Sequence, residues 1–447
     1  MQRLFGTDGI RGRAGEFPLD APTVWKMGAS LARQLREQLG RPPRFVTGRD
    51  TRESGGWIET AFHAGSASEG AVCESAEVMT TPGVAYLTGA FDFDAGVVIS
   101  ASHNPYYDNG IKIFSPSGKK FGEVTERAIE ADIFSDASAL DDKAGSIDSS
   151  RVHEFSAAYL EYLLRESNGF SAAGTTIVID CANGATSAFA PEVFRSVGAE
   201  VIVIHDQPNG RNINENSGSL HLESLRSAVV QNGADLGVAF DGDADRALFV
   251  DEQGSVVDGD ATLWIMAQYL SARGKLANST VVATVMSNIG LELGLRAKGI
   301  DLLRASVGDK YVLEKLIETG AAIGGEQSGH IIFPEISLVG DGMMTAMLVL
   351  RAITEKGVKL SQAINGFTRY PQVLRNVKVR EKKGFNDVPE IADAARELER
   401  ELGGSGRLLL RYSGTENLAR VMIEGKDQAT IDAQAERLAA VIEKNLA

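Results

Sequence analysis

Cysteine is scarce: only Cys73 and Cys181 occur. Neither sits in a CxxC or a Cys/His spacing, which argues against a disulfide framework and a structural zinc, and fits a reducing cytoplasm. The six histidines are scattered without HxH or HxxxH spacing, so a histidine metal centre gains no support. Positive charge is in deficit. Lys and Arg number 45 against 60 Asp and Glu, a formal net charge of −15. That balance argues against broad nucleic-acid binding. An anionic small molecule needs a local cluster of arginines and lysines. No run reaches the ~18 consecutive apolar residues of a membrane helix. Met1 to Gly12 is polar and glycine-rich without an apolar core, so no secretory signal is expected.

What is present is a long chain of alternating apolar runs and helix-like periods. At ~150 residues per domain, 447 residues suggest three or four domains. Six short apolar runs each lead into a small, polar loop: Phe45 to Thr47, Gly96 to Ile99, Thr176 to Asp180, Leu236 to Phe240, Val281 to Val285 and Ala321 to Ile323. They pair into three blocks, which reads as three α/β units of related topology. Val24, Met27, Leu31, Leu35 and Leu39 fall at spacings of three and four, the core face of one helix. After Pro371 the pattern changes to strand, helix, strand, strand and helix, a small α+β domain: Val373 to Val379, Pro389 to Leu402, Arg407 to Arg411, Ala419 to Ile423 and Thr430 to Leu446. Candidate linkers are Asp136 to Ser150, Asp251 to Gly259 and Phe367 to Gln372. The expected domains are residues 1–150, 151–255, 256–368 and 369–447. Ligands of open α/β sheets bind beyond the carboxyl ends of strands, so the polar loops are expected to converge on one cleft.

Four loops carry chemistry. Asp241, Asp243 and Asp245 can turn toward one point if their loop curls around a hard cation, Mg²⁺ or Ca²⁺. The spacing also resembles a calcium-binding helix–loop–helix module, with Glu252 at the twelfth position. Against that module, Arg246 stands where the tight turn needs glycine, and the flanks read as strands. A solvated acidic turn is the plain alternative. Ser102 follows an apolar strand in Ser100-Ala101-Ser102-His103-Asn104-Pro105; a serine there can be a nucleophile, but such a segment alone is more often an ordinary turn, with Asn104-Pro105 as turn formers. His103 is its neighbour, but adjacent side chains on extended backbone point apart. No G-x-S-x-G elbow supports a serine hydrolase. Arg411-Tyr412-Ser413-Gly414-Thr415-Glu416-Asn417, with Arg420 beyond, offers N–H groups, hydroxyls and two guanidinium forks: a phosphate cradle or a polar hairpin. Glu326, Ser328 and His330 lie among glycines, able to bond sugar hydroxyls or simply to turn the chain.

These four segments, in this order, together with Phe5-Gly6-Thr7-Asp8-Gly9-Ile10-Arg11-Gly12, resemble the α-D-phosphohexomutase superfamily. The matches span residues 3 to 425. The opening motif, Ser102 to Lys112 and Met286 to Glu292 point, within it, to the subgroup acting on glucosamine phosphates. The resemblance implies three α/β domains around a central cleft and a smaller C-terminal α+β domain. It implies reversible conversion of glucosamine 6-phosphate to glucosamine 1-phosphate through phosphorylated Ser102 and a bisphosphorylated sugar, feeding UDP-N-acetylglucosamine synthesis. It implies Mg²⁺ held by Asp241, Asp243 and Asp245 with Ser102, and a hexose bisphosphate to phosphorylate Ser102. Glu326, Ser328 and His330 would face the sugar. Arg411, Ser413, Gly414, Thr415 and Arg420 would hold the non-reacting phosphate. Arg11, Lys112 and Arg246 would offset the charge of the metal and phosphate site, and Lys112 or His103 would move the hydroxyl proton. Glucose or mannose phosphates are the alternative substrates, and a homodimer is left open. Three departures stand out: Tyr412 where the family often has Lys, Asn417 where Pro is common, and Ala244 where the subgroup often has Gly.

Overall fold

Five of the six apolar runs fall in central strands of three sheets, largely apolar because they are buried on both faces. The computed structural model describes residues 3–135, 147–167, 169–413 and 416–447. In the first sheet, β1 (Ile10–Arg13), β2 (Arg44–Arg49), β3 (Val72–Val78), β4 (Ala95–Ile99) and β5 (Asp108–Phe114) lie in the order β1-β5-β4-β2-β3. Strands β3, β2 and β4 are parallel, whereas β5 and β1 run antiparallel. The second sheet repeats this plan with β6 (Thr176–Asp180), β7 (Glu200–Ile204), β8 (Leu236–Phe240), β9 (Ala247–Asp251) and β10 (Val256–Val257), in the order β10-β9-β8-β6-β7. Again β7, β6 and β8 are parallel, and β9 and β10 antiparallel. In the third sheet β11 (Thr280–Thr284) runs parallel to β13 (Gly324–Gly325), and β14 (Ile331–Ile332) antiparallel to β13. Strand β12 (Asp301–Ala305) lies between β11 and β13 in sequence.

One module therefore recurs as β2-β4-β5, β6-β8-β9 and β11-β13-β14. Its last two strands form an antiparallel pair, and the loop between them carries the chemistry each time. The serine loop joins β4 to β5, the aspartate loop joins β8 to β9, and the Glu326–His330 loop joins β13 to β14. Three topologically equivalent loops thus hold three different residue sets.

Helices cover the sheets and end where local chemistry stops them. The helix Ala21–Leu39 starts at Asp20, whose carboxylate accepts the Thr23 N–H, has proline in its first turn, and ends at Gly40 in the left-handed region, φ 67°. Val24, Met27, Leu31 and Leu35 are buried on its inner face. Leu39 is not core as expected. It is 42% exposed, as the last residue of the helix, next to the Gly40 cap.

Two further expectations need correction. The sixth strand is Gly324–Gly325 rather than Ala321 to Ile323. The ladder with β11 pairs Val282 with Gly324, and Ile323 contributes only its carbonyl, to the Val282 N–H. Asp251 to Gly259 is a tight β9–β10 hairpin rather than a linker, its turn closed by the Asp251 carboxylate on the N–H groups of Gln253 and Ser255. Most of the Asp136 to Ser150 segment lies outside the described residues.

By contacts the chain divides into Met1–Thr284 with Ala305–Asn365, and Val285–Arg304 with Gly366–Ala447. The second unit has a three-stranded antiparallel sheet, β15 (Gln372–Lys378), β17 (Leu418–Glu424) and β16 (Arg407–Tyr412), with β17 central. Its core joins Val373, Val377, Val421 and Ile423 to Ile391 and Leu398 of the helix Pro389–Leu402, and to Leu438 and Ile442 of the helix Gln428–Leu446. The sequence reading assigned 285–304 to the third α/β region. Arg407 accounts for the difference: it donates to the carbonyls of Val285 (2.8 Å) and Ser287 (3.0 Å) and pairs with buried Glu424. Among the described residues no helix is long and apolar enough to cross a membrane.

Candidate functional site

Ser102 follows β4 and is completely buried. Its backbone is left-handed, φ 53°, a conformation that costs an L-residue ~1–2 kcal/mol and must be held by its surroundings. Its N–H donates to Ser100 Oγ at 2.9 Å, and its Oγ donates to Asp241 Oδ2 at 2.5 Å. The expectation that His103 points away is wrong. It assumed extended backbone, and the left-handed turn instead brings His103 Nδ1 to 3.3 Å from Ser102 Oγ. Burial, then the nearby Arg246 and Arg11, push the His103 imidazole down to about 4, so it is neutral at physiological pH.

Asp241, Asp243 and Asp245 do converge. Each offers an oxygen within 4.8 Å of the others, and all three are buried. The calcium-module reading fails here, because the loop is flanked by β8 and β9 rather than helices, and Glu252 turns away to bond Ser361. Gly242 is required between the ligands: a Cβ there would lie 2.6 Å from the Ser102 carbonyl oxygen, so the two loops approach backbone to backbone. Ala244 holds a left-handed φ of 64° without glycine's freedom. Asp243 Oδ1 and Asp245 Oδ1 are buried with no hydrogen-bond partner among the described residues. Burial, with Asp245 and Asp243 beside it, pushes the Asp241 carboxyl well above its usual range. Burial opposes ionisation of Asp245 too, but Lys112, His330 and Arg246 outweigh it and hold that carboxyl well below its usual range. Unpartnered, converging, all-oxygen donors under electrostatic stress are the chemistry a hard divalent cation satisfies.

Lys112 projects from β5 into this cluster. Its buried ammonium lies 2.9 Å from Asp243, 3.0 Å from Asp8 and 3.2 Å from Asp245. Burial alone would favour the neutral amine, but the three carboxylates outweigh it and hold Lys112 protonated. Arg11 bonds Asp8 and reaches the Ala101 carbonyl at 3.3 Å. Arg11, His103, Asp245, Arg246, Glu326 and His330 share with Asp8, Gly308 and Asp309 a cleft of about 470 Å³. Glu326 accepts the Gly308 N–H at 3.0 Å. His330 Nε2 accepts from the Gly340 N–H at 3.3 Å, so its neutral ring carries the proton on Nδ1, which faces Asp245 at 3.8 Å. Ser328 lies on the same loop but does not line this cleft, and its hydroxyl has no partner among the described residues.

In the second unit Arg411 and Arg420 are cross-strand partners on β16 and β17. Like charges placed directly opposite repel, so this pairing needs an anion between or beside them to be favourable. Burial, then Arg420, lower the affinity of Arg411 for its proton. Ser413 is buried beside them, with Arg420 Nη2 3.5 Å from its Oγ. Gly414 and Thr415 lie outside the described residues. Tyr412, which supplies no cation, stacks on Phe385 at 4.3 Å. A lysine nevertheless reaches the loop, since Lys382 Nζ donates to the Ser413 carbonyl at 2.7 Å.

Sequence reading missed several participants. Thr81 donates to Asp243 Oδ2 at 2.6 Å, and its N–H to the Asp243 carbonyl at 2.9 Å. Asp8 was quoted only as part of a motif, yet it joins Arg11, Lys112 and Lys120; Lys120 in turn bonds Asp309 at 2.5 Å. Asp50, Arg52 and Asn214 support the serine loop from outside the cleft.

Four family models match successive segments: phosphoglucomutase/phosphomannomutase alpha/beta/alpha domain I at residues 2–140, domain II at 157–254, domain III at 258–370 and the C-terminal domain at 374–441. A phosphoglucosamine mutase from Solibacter usitatus is 49% identical over 449 residues, covering 99% of both chains. The fold resembles a phosphoglucomutase/phosphomannomutase family protein from Burkholderia thailandensis, with TM-score 0.80, 21% identity and coverage of 99% and 97%. It also resembles Aspergillus fumigatus N-acetylphosphoglucosamine mutase, solved in complex with GlcNAc-6P and magnesium, with TM-score 0.67, 18% identity and coverage of 99% and 95%.

Proposed function

The chain belongs to the phosphoglucomutase/phosphomannomutase family, and we propose that within it the enzyme interconverts glucosamine 6-phosphate and glucosamine 1-phosphate through phosphorylated Ser102. The observation that carries the mechanism is the contact between Ser102 Oγ and Asp241 in a buried loop of three carboxylates. The named family segments support a four-domain division near residues 150, 255 and 368. A cytoplasmic location accords with the chemistry of a sugar-phosphate enzyme.

Asp241, Asp243 and Asp245, with a phosphoryl oxygen on Ser102, would hold Mg²⁺. When bound, the ion supplies Lewis-acid polarisation and offsets charge on the phosphoryl group. Four cations, Arg11, Lys112, Lys120 and Arg246, offset most of the charge of five carboxylates, Asp8, Asp241, Asp243, Asp245 and Asp309. A phosphate near −2 and a divalent cation add nothing net.

In the forward step the P–Oγ bond of phospho-Ser102 breaks and a bond forms to the sugar O1. The O1 proton leaves to a base, and the serine oxygen recovers one. His103, neutral and 3.3 Å from Oγ, is placed to hold the serine proton, while Lys112 and Arg11 neutralise the charge in flight. The resulting bisphosphate turns over, and its 6-phosphate returns to Ser102. Glu326 and His330, which line the cleft, face the sugar. Arg246 bridges that region to the carboxylates. Arg411, Arg420, Ser413, Gly414 and Thr415 grip the phosphate that is not reacting. A hexose bisphosphate phosphorylates Ser102 at the outset.

Arg420→Ala is expected to raise KM for the sugar phosphate about tenfold or more, the loss of one charge-assisted pair of ~1.5–3 kcal/mol. Steady-state kinetics check this, and wild-type KM would remove Arg420 from the phosphate site. The substrate assignment is tested by a coupled assay on glucosamine, glucose and mannose 6-phosphates. The highest kcat/KM is expected for glucosamine 6-phosphate. A preference for either of the others would transfer the assignment to that sugar.

A further inference from the structure

We propose that Arg52 and Asn214 are positioning residues for the serine loop, and that phosphoryl transfer depends on their joint grip on the carbonyl oxygens of Ser102 and Asn104. The inference rests on Ser102 as the phosphoryl carrier. Arg52, in the loop after β2, is 2% exposed. Its Nη2 donates to the Ser102 carbonyl at 2.9 Å and to the Asn104 carbonyl at 2.8 Å. Its Nη1 donates to the carbonyls of Asp108 (3.0 Å) and Pro105, and its Nε to Asp50 at 2.8 Å. All five guanidinium N–H groups are thereby used on backbone and Asp50, and none is left for a substrate.

Asn214 comes from the other side, between β7 and β8. Its amide nitrogen donates to the same two oxygens, Ser102 at 2.9 Å and Asn104 at 3.1 Å. Its own backbone is fixed by donation to the Ala182 carbonyl at 2.9 Å. Two planar donors from different sheets therefore fill both carbonyls that bracket His103. The other end of the Ser102 residue is tied through Ser100 Oγ to Asp50, which also holds Arg52. Ser102 sits at φ 53° inside this frame. Relaxation to an ordinary φ would swing Oγ away from Asp241 and from His103. Neither Arg52 nor Asn214 lines the cleft. Their loss should therefore act on the chemical step and leave sugar-phosphate binding alone.

Asn214 itself holds φ 58°, so Asn214→Gly keeps the backbone without strain while deleting both donors. The wild type, Asn214→Gly and Arg52→Lys are compared by intact mass for the phosphorylated fraction, by steady-state kinetics per phosphorylated enzyme, and by thermal melting. Asn214→Gly should lose ~10-fold to ~100-fold in kcat with KM changed less than about twofold, the pattern of a misplaced reacting group. Arg52→Lys should not rescue function, because an ammonium cannot reproduce a planar fork. Wild-type kcat per phosphorylated enzyme in Asn214→Gly, or a rise in KM alone, would overturn the inference whatever happens to the melting temperature. That variant decides the matter if Arg52→Lys does not fold. A wild-type enzyme active without phosphate on Ser102 would overturn the phosphoserine reading, and this inference with it.

Discussion

Ser102→Ala is expected to lower turnover by at least ~10³-fold while leaving the fold and the melting temperature near those of the wild type. The variant deletes one oxygen. Among the described residues that oxygen is the hydroxyl bonded to Asp241, and no second hydroxyl replaces it at that position. The loop survives because its frame is made of backbone groups: the Ser102 N–H on Ser100, and the Ser102 carbonyl on Arg52 and Asn214. Without Oγ no phosphoenzyme forms, and the double transfer has no first step. Affinity for the sugar phosphate should change little, since Glu326 and the two arginines are untouched. Assay of kcat alongside a binding titration separates these outcomes. Full activity in the alanine variant would sink the mechanism.

Asp243→Asn should lower activity by about 10²-fold and weaken Mg²⁺ binding, an effect of the order that a few kcal/mol of lost charge stabilisation produces. Asparagine preserves the shape and can still accept from Thr81. It cannot supply the charge that faces Lys112 at 2.9 Å, nor the unpartnered carboxylate oxygen Oδ1. Two readouts follow. Calorimetric titration of Mg²⁺ into the purified variant should show weaker binding than into the wild type. EDTA should abolish wild-type turnover and added Mg²⁺ restore it. Undiminished activity in EDTA would reject the metal role of this loop.

Much of this site is legible in the sequence because its residues are short-range patterns. Asp241, Asp243 and Asp245 stand two positions apart, and the β8–β9 loop brings them together without help from elsewhere. The strands were legible for a related reason: runs such as Leu236 to Phe240 are buried throughout and carry no polar residue to blur their ends. Sequence reading failed where a distant chain segment decides the outcome. Thr81 and Asn214 are ordinary polar residues in their own segments, and only the folded chain puts them on Asp243 and Ser102, 162 and 112 positions away. His103 was misjudged for a local reason. Its direction depends on the φ of Ser102, and nothing in Ser-His-Asn-Pro announces a left-handed serine. The recurrence of one β–loop–β position in three sheets was visible only as a pairing of strands, since the loops share topology and not residues.

The central claim is that Ser102 carries the phosphoryl group. Its most direct test is peptide mapping by mass after incubation of the enzyme with glucose 1,6-bisphosphate and Mg²⁺, repeated after addition of excess glucosamine 6-phosphate. The account predicts one phosphate, on Ser102, that is discharged to the sugar as a bisphosphorylated product appears. An active enzyme with its phosphate on another residue, or with none, would contradict it.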